Sequence, residues 1–247
     1  MRTRFTMGKK GLYFISISFI LLLTTNLIIL ASVKNVVVSK GYYKVSQREY
    51  KKADVLLISD SLYTEWRTDK EFIEEFRLQS LIALSFYPEL KDVEIHFKYS
   101  NEATTMACRP NFSSLLVGKR VYTIFINNNH NFDGILLADV PFNAQIGVIG
   151  HEIAHIIDYE ERNTLGIIQI GLNYLNNEDK RDYESSVDRI TIQRGLGWQL
   201  YDWAQYSMYD SPRATDEYKS FKRDIYLQPQ QITEEMQIYS CYQKFFN

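Results

Sequence analysis

The apolar residues of the chain change period along its length, and each period predicts an element. Residues 12–33 form a run without charge. As a helix this run would extend about 30 Å, the depth of a bilayer core. After a connecting region, 34–65, in which 55–58 forms a short helix or strand, the spacing becomes helical. Thr68 followed by Glu71 has the form of a capping box. It predicts a helix through Phe72, Ile73, Phe76, Leu81, Ile82 and Phe86, closed by Pro88. Val93, Ile95, Phe97 and Tyr99 then alternate with Glu94, His96 and Lys98. Period two predicts a half-buried strand that leaves His96 on the polar face, as a solvated side chain.

A loop containing Arg109 and Pro110 separates this strand from a second one. Residues 121–126 are β-branched and aromatic, and predict that second strand. Its edge could receive an extended peptide by backbone pairing. His130 belongs to the asparagine-rich loop that follows. A long helix starts between Pro141 and Asn143 and continues through Tyr159. A further helix is predicted over 183–195, with Val187, Ile190 and Thr191 inward. The aromatics between Trp198 and Tyr206 read as packing, Ser211-Pro212 breaks the chain, and 214–227 and 231–245 close it as helices. This order of elements is that of an α+β domain.

Charge adds an address to the apolar run. Arg2, Arg4, Lys9 and Lys10 precede it in a basic tail, 1–11, and a basic start before an apolar run has the form of a signal-anchor or a signal peptide; the length of the run favours an uncleaved anchor. The expectation is a single-pass membrane protein with its N-terminus cytoplasmic and its domain, 66–247, extracytoplasmic. The far flank is basic as well, with Lys34, Lys40, Lys44, Arg48, Lys51 and Lys52. The net charge of −2 gives no reason to expect nucleic acid as a partner. With 45% hydrophobic residues the chain can fill a sizeable core. Cys108 and Cys241 are too far apart in sequence for a Cys-x-x-Cys metal site, and leave open one disulfide or two unpaired thiols.

Candidate chemistry sits in the long apolar helix. His151, Glu152 and His155 form a His-Glu-x-x-His pattern, and this pair is half of the chain's 4 histidines. Residues four apart lie one turn above each other, so both imidazoles can face one metal ion. Glu152, one residue round from His151, can reach the edge of that site as a general base. Catalytic zinc commonly keeps three protein ligands and one open position. Asp158 shares the helix face but lies about 4.5 Å further along the axis than His155, too far for one ion. Glu160 and Glu161 fall at the helix end, toward solvent. Glu184 and Asp188 share one face of the next helix. If that face meets the histidines, Glu184 can ligate the metal and Asp188 can accept the free ring N–H of a ligand histidine. A surface helix with Glu184–Arg181 and Asp188–Arg194 ion pairs is the competing expectation.

His151, Glu152 and His155 followed by Glu184 and Asp188 resemble the gluzincin pattern of zinc metallopeptidases, the thermolysin-like clan and its small membrane-associated members. The resemblance implies a minimal zincin-like domain, a small mixed sheet on the metal helix and a glutamate-bearing second helix. It also implies zinc held by His151, His155 and Glu184, Glu152 as catalytic acid and base, and a peptide or protein substrate bound as an extended strand. The family further implies a tyrosine or histidine that stabilises the oxyanion. Asp158 and Glu161 stand where a metzincin would need glycine and a third histidine. Two other readings of the same residues are a zinc-holding, membrane-tethered protein without turnover and a metal-free envelope interaction domain.

Overall fold

The structure, a computed structural model, describes residues 46–246 apart from Val117. The expected membrane segment, 12–33, lies outside the described residues, among which no helix is long and apolar enough to cross a membrane. Two short helices, α1 (Lys52–Leu56) and α2 (Ser59–Trp66), lead in, with Val55 and Trp66 buried in the core. The expected helix from Thr68 does not form there. Asp69 takes a left-handed backbone (φ 57°), and Lys70–Glu71 becomes strand β1, paired in parallel with Ile95 and His96. The Lys70 ammonium donates to the carbonyls of Thr68, Lys91 and Val93 at 3.3, 3.0 and 2.6 Å. These tertiary hydrogen bonds outweigh the local capping signal. Helix α3 starts only at Arg77 and ends at Leu84.

Strands β2 (Glu94–Ser100) and β4 (Val121–Asn127) follow their predicted alternation and pair in parallel. Between them in sequence lies β3 (Met106–Pro110), where a loop was expected. It pairs antiparallel with β4 on the far side, giving the order β1-β2-β4-β3. Strand β4 therefore has a neighbour on both sides, and the edges of the sheet are β1 and β3. His96 is half-buried between Glu94 and Glu71, at 3.2 and 3.6 Å, and is not simply solvated.

Helix α4 (Phe142–Glu160) begins where Pro141 predicts and is buried from Asn143 to Tyr159. Its many β-branched residues are mediocre helix formers, so packing rather than propensity holds it. It lies against β3, α3, α6 (Asn177–Thr191) and α7 (Gly197–Gln205). At Gly147 the α4 backbone approaches that of α7 so closely that a Cβ would sit 2.1 Å from the Gln199 carbonyl oxygen. Helix α5 (Thr164–Asn173), which no periodicity announced, precedes α6 and is capped by Asn163, whose side chain accepts from the Gly166 N–H at 2.8 Å. The second predicted helix is α6, which begins earlier, at Asn177, and passes into a π-turn (Ile192–Leu196) at Gly195, φ 105°. Helices α8 (Asp216–Ile225) and α9 (Pro229–Met236) close the chain, and the helix expected over 231–245 is broken before a 3-10 segment, Ser240–Phe245. Cys108 and Cys241 are both free thiols.

Candidate metal centre

Helices α4 and α6 bring three ligand atoms together. His151 Nε2 lies 3.1 Å from Glu184 Oε2, and His155 Nε2 lies 3.5 Å from the same oxygen. One donor atom from each of the three residues falls within 4.8 Å of the others, and all three residues are buried. The opposite ring atoms are held by the protein. His151 Nδ1 is 2.8 Å from Asp188 Oδ1, and the carboxylate can only accept, so Nδ1 carries the proton and Nε2 turns to the site. His155 Nδ1 is 3.1 Å from the Tyr183 hydroxyl, which donates to Asp158 Oδ2 at 3.2 Å. Asp158 is not a ligand. It anchors this relay and is itself clamped by Arg162 through two bonds, 2.7 and 2.8 Å.

The competing ion pairs do not form. Arg181 donates to the Asp224 carbonyl and Arg194 pairs with Glu89, so the Glu184 and Asp188 side chains serve the site. Glu160 and Glu161 are exposed, and Glu160 accepts from the Tyr122 hydroxyl at 2.5 Å. Asp188 Oδ2 also accepts the Leu227 N–H at 3.0 Å, which fixes the chain beside Tyr226. The Tyr174 hydroxyl donates to Glu184 Oε1 at 2.5 Å and leaves Oε2 to the histidines.

Lone pairs converging from two imidazoles and a carboxylate need a positive charge among them. Without a cation the charge is a proton on His151. Burial opposes that charge, but the Asp188 hydrogen bond and charge, with those of Glu184, push the imidazole up to about 10. Burial alone would lift the Glu184 carboxyl, yet the neighbouring histidines hold it well below 4.5. The donor set suits a divalent cation that binds nitrogen and oxygen, with both histidine tautomers already chosen. Glu152 is buried beside this set and lines the same cleft, with no hydrogen bond to another described residue. Burial raises its carboxyl above 4.5, with Glu184 adding to the effect and His155 and His151 opposing it.

The cleft holds about 580 Å³. Its floor is α4, one wall is β3, and the other is α5 with Tyr174, while Tyr226 closes an end. The Tyr226 ring stands 5.7 Å from the His151 ring, edge on, with the Lys222 ammonium 4.0 Å above its own centroid. His96 and His130 do not join the metal group. Sequence reasoning missed Tyr174, Tyr183 and Tyr226. Tyr183 could have been suspected as the neighbour of Glu184, whereas Tyr174 and Tyr226 carry no local signal. None of Tyr201, Tyr206 or the adjacent tryptophans lines the cleft, and the Tyr206 hydroxyl donates to the Asp139 carbonyl. Comparison with protein-family models, curated proteins and solved structures gives no match.

Proposed function

We propose that the chain is a zinc-dependent peptidase of gluzincin type, anchored to a membrane by residues 12–33 with its domain extracytoplasmic. One observation carries this reading: the convergence of His151, His155 and Glu184 beside the Glu152 carboxylate, which makes no hydrogen bond to another described residue, in an open cleft. His151, His155 and Glu184 would hold the zinc ion, which would supply Lewis acidity for the scissile carbonyl and lower the pKa of bound water towards about 7. Glu152 takes the proton of the attacking water and returns it to the amine as the carbon–nitrogen bond breaks. The Tyr226 hydroxyl donates to the carbonyl oxygen as negative charge develops there. The substrate lies extended along the free edge of β3, which supplies backbone partners.

The test uses the full chain and a peptide library. The native chain should hold zinc stoichiometrically and cleave in a chelator-sensitive manner. Glu152→Gln should keep the zinc and lose about 10²–10⁴-fold in turnover. Undiminished hydrolysis in that variant, or a native chain that takes up no zinc, would remove the assignment.

A further inference from the structure

Helix α5 is apolar on opposite faces. Ile167 and Ile170 are buried, while Leu165, Ile168 and Leu172 on the other side are 76%, 46% and 53% exposed. Leu175, in the turn that follows, is 83% exposed. At helical spacing these four fall on one stripe. No residue from Asn163 to Asn177 is charged. Apolar residues on both faces of a helix suit an interior, and here one of the two faces is uncovered. Phe112, 69% exposed, lines the same cleft as Ile168.

We propose that the Leu165–Ile168–Leu172–Leu175 stripe, together with Phe112, rests on the surface of a lipid bilayer. The inference relies on the membrane anchoring proposed above. Twelve residues, 34–45, separate the uncharged run from the first described residue. Fully extended they reach no more than about 43 Å, so the nearest apolar phase is the bilayer, at high effective concentration. Lys34, Lys40, Lys44, Lys51 and Lys52 in and beside this connection suit anionic headgroups. The stripe is aliphatic with a single aromatic at its margin. A protein-binding surface draws instead on tyrosine, tryptophan and arginine anchors and a hydrogen-bonding rim. The cleft opens beside the stripe, so the substrates within reach are polypeptide segments lying close to lipid.

The test places a nitroxide at Leu172→Cys or Leu175→Cys in the full chain, with Cys241→Ser to keep labelling specific. Ile238→Cys, 71% exposed in the native chain, is the reference. The chains are reconstituted in phosphatidylcholine–phosphatidylglycerol vesicles with chelator present, so neither metal nor hydrolysis enters the readout. Lipid contact should raise collisions with oxygen and lower those with a water-soluble nickel chelate, several-fold against the reference. Labels that respond like the reference on a chain that floats with the vesicles overturn the docking and leave the anchor and the peptidase reading standing. Exclusion of both reagents means a protein cover, whether a second copy or another chain, and also overturns it. A chain that does not float with the vesicles removes the anchor and the docking together.

Discussion

Tyr174 donates a 2.5 Å hydrogen bond to Oε1 of Glu184, while Oε2 of the same carboxylate faces both histidines. The tyrosine therefore decides which oxygen is offered to a cation. Tyr174→Phe should weaken zinc binding by about 10- to 100-fold, the usual effect of losing a group that orients a ligand. Competition with a chromophoric chelator measures it. Equal affinity in the two proteins would show that the hydroxyl has no such role.

Asp188 accepts from the His151 ring with one oxygen and from the Leu227 backbone with the other. In Asp188→Asn the amide nitrogen must face one of these donors. Zinc affinity should fall by about 10- to 100-fold. The metal-free protein should also lose about 1–3 kcal/mol, the cost of a buried donor left unpaired. Zinc titration and denaturant unfolding in chelator read the two effects separately.

Glu152 gives a pH dependence whose sign is fixed. Its carboxyl is raised above 4.5 in the folded chain, chiefly by burial. The folded state then holds this proton to a higher pH than the unfolded state. Its contribution to stability is full below 4.5 and is lost as pH climbs through the raised value. At neutral pH, without metal, Glu152→Gln should stabilise the fold, a trade of function against stability. The gain should vanish at pH 4, as seen by unfolding at both pH values. A variant less stable than the native chain at neutral pH would contradict it.

Two glycines bracket what the fold tolerates. A Cβ at Gly147 meets the Gln199 backbone at 2.1 Å, and backbone cannot swing aside. Gly147→Ala should cost about 3 kcal/mol through overpacking. A Cβ at Gly171, in α5, meets nothing within 4 Å. Gly171→Ala should gain about 0.5–1 kcal/mol from helix propensity. Thermal unfolding of the two variants should move in opposite directions.

Strands β2 and β4 and helix α6 were legible because each declares a period and contributes a face to the core, and α4 because Pro141 opens a long apolar run that carries the His-Glu-x-x-His pattern. Glu184 and Asp188 were legible by their spacing once two histidines had defined what they must meet. The rest required tertiary information. The capping pattern at Thr68 and Glu71 is local, and it yields to the pairing of Lys70 and Glu71 with β2. Strand β3 is short and ends in proline, although its alternation of buried Met106 and Cys108 around half-buried Ala107 is present. Helix α5 hides because apolar residues on two opposite faces, Ile167 and Ile170 against Leu165, Ile168 and Leu172, blur the period. Tyr174, Tyr183 and Tyr226, which surround the ligand cluster, come from three separate segments, and only the folded chain brings them to one place.

The close passage at Gly147 has a mechanical meaning. With the α4 and α7 main chains in contact there, the helix that carries His151 and His155 is seated directly on backbone, with no side chain between to yield. The opposite bank, α5 and the turn bearing Tyr174, is moored differently, by the buried Ile167 and Ile170 and by the hydrogen bond from Tyr174 to Glu184. A load on that bank would therefore reach the carboxylate of the ligand cluster through that tyrosine.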